Sequence, residues 1–194
     1  MARPKEFDRE EALRSAIPVF WENGFAGTST DDLVRAMGIG RQSLYDTFGD
    51  KRALFLEALR AYNTDSLAAV FRKLREGPTA MAAIEHILLD RAEVPTKQRS
   101  PGCMGVNAVC ELAGEDEAVA ALTQSNAALL EATLKDVLED GKKQGCIRHG
   151  IDSRAAARFL AATMSGLMVQ AKAGASQETL HDVARFALDS LRPL

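Results

Sequence analysis

The sequence predicts an all-α protein of about nine helices, in which a three-helix helix-turn-helix domain precedes a larger helical domain. Alanine is abundant and only 6% of the residues are aromatic, a composition that favours helices over sheets. No segment alternates apolar and polar residues for long enough to indicate a strand. Because 46% of the residues are hydrophobic and 26% are charged, the chain can bury a core and is not of the disordered class.

Capping residues place the first four helices. Asp8, Ser29 and Asp50 are positioned to cap the first, second and fourth helices. The first two helices end at Gly24 and Gly38, since glycine readily adopts the backbone conformation that follows a helix. The fourth helix is long enough to connect two domains. The predicted ranges are residues 8–24, 29–38, 41–48 and 50–74.

Five further helices fill the rest of the chain, separated by segments that contain glycine, proline and polar residues. They are predicted at residues 79–92, 101–114, 116–141, 152–173 and 176–191. The helix-turn-helix domain is predicted at residues 1–52 and continues into the connecting helix 50–74, and the second domain is predicted at residues 75–194.

The second and third helices have the spacing of a helix-turn-helix, in which a glycine-containing turn joins two short helices. In this motif the second helix packs on the first with one face, and its other face enters the major groove of DNA. The same pattern also fits an ordinary short amphipathic helix with solvated polar residues. The predicted packing face consists of Leu33, Met37, Ile39, Leu44 and Phe48, and the predicted outward residues are Arg41, Gln42, Ser43 and Tyr45.

Residues 9–60 resemble the DNA-binding domain of the TetR family of transcriptional repressors without a gap. The resemblance rests on "VFWENGF" before the second helix, "LVRAMGI" within it, "SLYDTFGDK" in the third helix and "LF..AL" after it. The last two helices resemble the dimerisation pair of the family more weakly. The apolar stripe of the final helix is expected to take part in the contact between two subunits, and it consists of Leu180, Val183, Ala187 and Leu191. The resemblance implies a homodimer that binds a double-stranded DNA operator, with a C-terminal domain that dimerises and binds a small-molecule effector.

The resemblance also implies which residues contact DNA. Arg41, Gln42 and Ser43 match the positions that contact bases in the family. The positions that contact phosphates are matched by Ser29, Thr30, Tyr45 and Lys51. Gly40 departs from the family pattern and leaves the third helix without a side-chain cap. The N-terminal Arg3 and Lys5 fit either a frayed terminus or a basic arm, and the family's frequent use of such an arm favours DNA contact.

An effector pocket is predicted among the helices that follow Pro78. Its apolar candidates fit a plain packed core equally well, and His86 equally fits a surface or structural position. The candidate residues are Met81, Ile84, His86, Leu88, Cys103, Met104, Asn107 and Leu130.

Cys103 carries an alternative mode of regulation. Ser100 as N-cap and Pro101 at the first helical position would place Cys103 in the first turn, where the helix dipole favours a thiolate. Such a thiol could sense oxidants or electrophiles, and Cys110, further along the helix, should react more slowly. The competing interpretation is a small buried residue that fits between helices.

The remaining patterns limit the function classes. The charged N-terminus lacks an apolar segment, and the most apolar stretch, residues 159–171, is too short and too polar to span a bilayer, so we expect a cytoplasmic protein. No His, Cys and carboxylate set has zinc spacing, and we expect neither metal nor cofactor. An enzyme with Cys103 as nucleophile and His86 as base has no supporting motif, so we expect no enzyme. A DNA-binding architectural protein without a ligand is a further alternative.

Charge also constrains any DNA contact. The net charge is −3, and residues 1–52 contain eight Lys or Arg and nine Asp or Glu residues. Positive charge must therefore be concentrated at a few positions if the N-terminal domain binds nucleic acid.

Overall fold

The structure is a computed structural model that describes residues 7–93 and 102–193. The described residues form nine α-helices and no β-strand, which confirms the predicted fold class. The helices are α1 Arg9–Asn23, α2 Thr30–Met37, α3 Arg41–Phe48, α4 Lys51–Glu76, α5 Ala80–Ala92, α6 Met104–Leu112, α7 Glu117–Lys143, α8 Ser153–Ala173 and α9 Gln177–Asp189.

Most helices begin at the capping residues that the sequence predicts. In each case a side-chain oxygen accepts a hydrogen bond from a backbone N–H group of the first turn, which satisfies a donor that the helix itself leaves free. The cap of α4, for example, is Asp50, whose Oδ1 accepts from the backbone of Ala53 at 2.7 Å. The structure also confirms the predicted caps Asp8 and Ser29, and it shows that Asp152 and Ser176, at which two further helices are predicted to start, cap α8 and α9.

The described residues divide into two compact units. Unit 1 contains the residues up to Thr64 together with residues 104–122, and unit 2 contains the residues from Asp65 to Cys103 and from Thr123 onward. Residues 104–122 therefore pack with the helix-turn-helix, although the sequence places them in the C-terminal domain. The functional domain limits, 1–52 and 75–194, remain a prediction.

Unit 1 has a core that is rich in aromatic side chains. Phe55 of α4 lies edge-on to Phe20 of α1 at a centroid distance of 5.1 Å, and Phe25 contacts it at 5.2 Å. The C-terminal half of the sequence adds Met104 and Ala108 from α6 to this core. All five residues predicted to form the packing face of the helix-turn-helix are buried here: Leu33, Met37, Ile39, Leu44 and Phe48.

Unit 2 has an aliphatic core formed mainly by α5, α7, α8 and α9. Its fully buried side chains include Ile84, Leu88, Leu134, Leu138 and Leu160. The apolar stripe of α9 belongs to this core, because α9 packs against α5 and α8 of the same chain. We predicted an intersubunit stripe on α9, and that prediction is wrong for three of its members: Leu180, Ala187 and Leu191 are buried within the subunit.

Among the described helices, none is both long enough and apolar enough to cross a membrane.

Candidate nucleic-acid interface

The helix-turn-helix is formed by α2, a short turn and α3. Gly38 ends α2 in the left-handed conformation, with φ 65°, and the chain reverses onto α3 after Ile39. Leu44 and Phe48 lie on the buried face of α3, which packs against the other helices of unit 1. The opposite face is polar and open, and Tyr45 on it is 41% exposed.

Aspartates hold the two longest polar side chains of that face. The Arg41 guanidinium donates to Asp31 Oδ1 of α2 at 2.5 Å, and this hydrogen bond raises the pKa of Arg41. Gln42 Nε2 donates to Asp46 Oδ1 one turn later at 2.8 Å. All four side chains are exposed. Two of the three predicted base-contacting residues, Arg41 and Gln42, are therefore exposed but bonded to acidic neighbours, while Ser43 is partly exposed.

The predicted phosphate contacts at the start of α2 also carry internal bonds. Ser29 and Asp32 form a reciprocal capping box, in which each side chain accepts from the other residue's backbone N–H. The hydroxyl of Ser29 also donates to Asp32 Oδ2 at 2.5 Å, and this bond is the main reason why the pKa of Asp32 is held below its ordinary value. Thr30 follows as the first residue of α2 and is partly exposed.

Lys51 holds the turn between α1 and α2. Its Nζ donates to the backbone carbonyls of Phe25 and Thr28, each at 2.9 Å, and lies 4.3 Å from the centroid of the Phe25 ring. The ammonium group thus forms its hydrogen bonds within the protein, to the segment that leads into α2. Its contact with a phosphate remains a prediction.

Glu111 of α6 binds the same turn and was not predicted from the sequence. Its carboxylate accepts from the backbone N–H groups of Phe25 at 2.9 Å and of Ala26 at 2.6 Å. Gly24 permits this approach: its φ is 72°, and a Cβ atom there would lie 2.8 Å from Glu111 Oε2. The partners of Glu111 are backbone groups more than 80 residues away in the chain, so no local pattern marks it.

A second pair of charges joins the start of α4 to the start of α7. Arg52 donates to both carboxylate oxygens of Asp116, at 2.7 and 2.8 Å. Asp116 also caps α7 by accepting from the backbone of Ala118 and Val119. The bond from Arg52 is the main cause that holds the pKa of Asp116 below its ordinary value.

Two further predictions concern the ends of DNA-contacting segments. Gly40 at the start of α3 forms no side-chain capping bond, as the sequence predicts. Arg3 and Lys5 lie outside the described residues, and their contact with DNA stays a prediction.

The predicted effector residues fall into both units. In unit 2, Ile84 and Leu88 are in the core, with Met81 and Leu130 packed at its edge, while His86 is exposed. In unit 1, Met104 is buried and Asn107 is partly exposed on α6. The core side chains of unit 2 around Ile84 and Leu88 leave no space for a water molecule; they are Ile84, Ile87, Leu88, Leu134, Leu160 and Met164. The pocket assignment remains a prediction.

The structure does not supply the helix start on which the Cys103 hypothesis depends. The helix α6 begins at Met104, so Cys103 precedes the helix instead of lying in its first turn. Ser100 and Pro101 lie outside the described residues. Cys103 is partly exposed, whereas Cys110 is exposed, so steric access does not favour reaction at Cys103. Without the predicted helix start, the described residues give this alternative no support, and we do not carry it further.

Within the described residues, no group of three or more His, Cys, Asp or Glu side chains is arranged to hold a metal ion.

Two helices joined through a left-handed glycine, with a polar and exposed face on the second, define a helix-turn-helix DNA-binding protein. Comparison with family models places the chain within this class. Residues 12–58 match the model of bacterial regulatory proteins of the tetR family, and residues 77–187 match the tetracyclin repressor-like C-terminal domain. The chain belongs to the TetR family of transcriptional regulators.

Known relatives agree over nearly the whole chain. The uncharacterised HTH-type transcriptional regulator YezE of Bacillus subtilis (strain 168) is 35% identical over 98% of this chain and 100% of its own length. The HTH-type transcriptional repressor ComR of Escherichia coli (strain K12) is 32% identical over 96% of this chain and 90% of its own. A solved structure of a cysteine mutant of the TetR-family regulator CifR, complexed with 26-bp double-strand operator DNA, aligns with a TM-score of 0.84, 30% identity and coverage of 98% and 100%.

Proposed function

We propose that this TetR-family regulator is a homodimeric repressor that binds a palindromic operator and releases it when a small molecule binds the C-terminal domain. The observation that carries the proposal is the exposed polar face of α3, opposite the buried Leu44 and Phe48. In a dimer, the two α3 helices would lie about 34–36 Å apart, one turn of DNA or a multiple of it. DNA-bound CifR supports the operator as the partner.

The side chains of α3 divide between two tasks. We assign base contacts to Arg41, Gln42 and Ser43, since guanidinium and amide groups form paired hydrogen bonds with base edges. Tyr45 donates one hydrogen bond and suits a phosphate, as do Ser29 and Thr30 at the start of α2. Asp31 and Asp46 must move or share their partners when Arg41 and Gln42 contact DNA, since each already accepts a hydrogen bond.

An exposed apolar face on α8 and α9 supports dimerisation. Phe186 is 77% exposed, and Phe159, Val169 and Val183 are also open to solvent. Between them on α8, Gly166 is exposed and a Cβ atom there would contact nothing within 4 Å, so a partner helix can approach closely. A shared face of this kind suits a two-fold interface, in which the same patch of both subunits meets. We therefore place the interface on these residues rather than on the buried stripe of α9.

Effector binding is assigned to unit 2. Because the side chains around Ile84 and Leu88 are closely packed, a ligand must separate helices there to enter. Such a change alters DNA affinity only if the ligand prefers one of two conformations of the protein. We also propose that the protein has no catalytic role and acts in the cytoplasm, since regulators of bacterial genes act where the chromosome lies.

The test is selection of duplexes from a random-sequence library by the purified protein. We expect a palindromic site, protected by one dimer. In variants, Tyr45→Phe should weaken binding to all duplexes, whereas Gln42→Ala should change which bases are selected. Recovery of no enriched sequence would contradict operator binding, and equal losses without altered preference would contradict the assignment of Gln42.

A further inference from the structure

We propose that Glu111 is a positioning residue for DNA binding, which fixes the turn between α1 and α2 and thereby sets where the start of α2 meets the DNA backbone. The proposal rests on operator binding as proposed above. Glu111 itself lies on α6 and is not expected to touch DNA.

The turn is held through its donors and its acceptors at the same time. Glu111 accepts from the N–H groups of Phe25 and Ala26, and Lys51 donates to the carbonyls of Phe25 and Thr28. Hydrogen bonds that involve a charged group are shorter and stronger than neutral ones. Four such bonds on a turn of a few residues leave its backbone little freedom.

The turn leads directly into the segment predicted to contact phosphates. Thr28 is buried, and its hydroxyl donates to the carbonyl of Gly24 at 2.6 Å, which closes the turn on itself. The next residue, Ser29, caps α2 and precedes Thr30. A displacement of the turn at Phe25 or Ala26 therefore moves the N-terminus of α2, while the buried face of α2 keeps the helix attached to unit 1.

The apolar contacts of α6 do not explain the carboxylate. Met104 and Ala108 already bury α6 in the core of unit 1, whereas the side chain of Glu111 is exposed. A negative charge in a DNA-binding unit opposes association with phosphates. Removing Glu111 thus has two effects of opposite sign: the electrostatic effect strengthens DNA binding, and the loss of positioning weakens it.

A charge-matched pair of variants separates these effects. Glu111→Gln and Glu115→Gln remove the same charge, and Glu115 is an exposed residue just beyond α6. Affinity is measured for a duplex selected by the wild-type protein and for a scrambled duplex, after titration at stoichiometric concentration has counted the active molecules. A purely structural role for Glu111 would change the active fraction or the unfolding temperature, but not the affinity of the active molecules.

We expect Glu111→Gln to weaken binding of the selected duplex about tenfold, with little change for the scrambled one, because the amide oxygen can accept from only one of the two N–H groups and the amide NH2 group cannot accept from the other. Glu115→Gln should bind as tightly as the wild type or slightly more tightly. Glu111→Asp keeps the charge but shortens the side chain by one methylene, so it should also lose affinity, and it decides the question if Glu111→Gln does not fold. Wild-type affinity in either folded Glu111 variant overturns the proposal. Failure of the wild type to select any duplex contradicts the proposed function instead.

Discussion

The two units of the chain differ in their cores, while charged side chains join distant segments in both; in unit 2, for example, Lys73 pairs with Asp90. In unit 1, charged side chains join segments that are far apart in sequence: Glu111 to the turn after α1, Arg52 to Asp116, and Arg9 to Glu57 through two hydrogen bonds. In unit 2 the buried residues are almost entirely alanine and aliphatic side chains. The buried phenylalanines, Phe20, Phe48 and Phe55, all belong to unit 1.

The contrast matches what each unit must do in the proposed function. Contact with a DNA backbone requires helix ends to be placed to a fraction of an ångström, and directional bonds provide this. Aliphatic packing is non-directional, and it can rearrange at modest cost when total volume is preserved. Polar substitutions should therefore change the affinity of unit 1 for DNA, and changes of volume should change the stability of unit 2.

The largest effect, on dimerisation and operator affinity, is expected from substitution of the exposed apolar surface of unit 2. Phe186→Asp should convert the dimer to a monomer and lower operator affinity by about 100-fold or more, because the two half-sites are no longer bound together. Sedimentation velocity and duplex binding measure both consequences. Leu129→Asp on α7, where Leu129 is 51% exposed, is the control and should leave the dimer intact. A dimeric Phe186→Asp protein would move the interface elsewhere.

The second prediction concerns volume in the core of unit 2. Leu160 has no exposed surface, and Leu160→Ala should lower the free energy of unfolding by about 3 kcal/mol through lost burial and a residual cavity. Urea unfolding at one fixed protein concentration measures this, since the stability of a dimer depends on concentration. The active molecules should bind the selected duplex with unchanged affinity. A stability loss below about 1 kcal/mol would mean that the helices close the gap, contrary to the close packing described above.

The third prediction compares two glycines of unit 1. Gly24→Ala should lower the free energy of unfolding by about 2 kcal/mol. The backbone at Gly24, with φ 72° and ψ −177°, lies in a region that only glycine occupies readily, and the new Cβ would also meet Glu111. Gly38→Ala is the control, since Gly38 also has a positive φ of 65° but its Cβ would contact nothing within 4 Å. Thermal unfolding of both variants, alone and combined with Glu111→Ala, measures the difference. Glu111→Ala should reduce the loss of stability caused by Gly24→Ala but not the loss caused by Gly38→Ala. If Glu111→Ala changes both losses equally, contact with Glu111 is not the cause.

The smallest effect is expected at the surface of the helix-turn-helix. Asp31→Asn removes a negative charge and the ionic partner of Arg41, so affinity for a scrambled duplex should rise about twofold to fivefold. The preference for the selected duplex should fall, because Arg41 is then free to contact any phosphate. Fluorescence anisotropy at several salt concentrations measures both. Asp65→Asn, an exposed aspartate on α4, is the control; an equal rise there would show that only net charge matters.

The sequence predicts those parts of the structure that depend on neighbouring residues. Asp8, Ser29 and Asp50 cap their helices as expected, because a cap and the backbone N–H group that donates to it lie within one turn of each other. The packing face of the helix-turn-helix was also correct, since helical periodicity identifies it. Periodicity shows that α9 has an apolar stripe, but not whether the stripe meets its own chain or another. For that reason Leu180 and Leu191 were assigned to the wrong interface.

Contacts between distant residues were beyond such reasoning. Glu111 binds backbone N–H groups, which every residue except proline has, so its partners cannot be recognised from residue types. The resemblance implies a phosphate contact for Lys51, which stays a prediction, and its bonds to two carbonyls were not foreseen. The effector residues have no polar pattern of their own, and a packed core and a closed pocket use the same side chains.

The inclusion of residues 104–122 in unit 1 limits how the protein can be re-engineered. A hybrid regulator is commonly imagined as an N-terminal module fused to a foreign sensor. Here, a fusion that transfers only residues 1–64 would leave behind the carboxylates of Glu111 and Asp116 and the buried Met104. A working chimera must therefore transplant two separate stretches of sequence, or choose a sensor that supplies equivalent side chains on its own sixth helix.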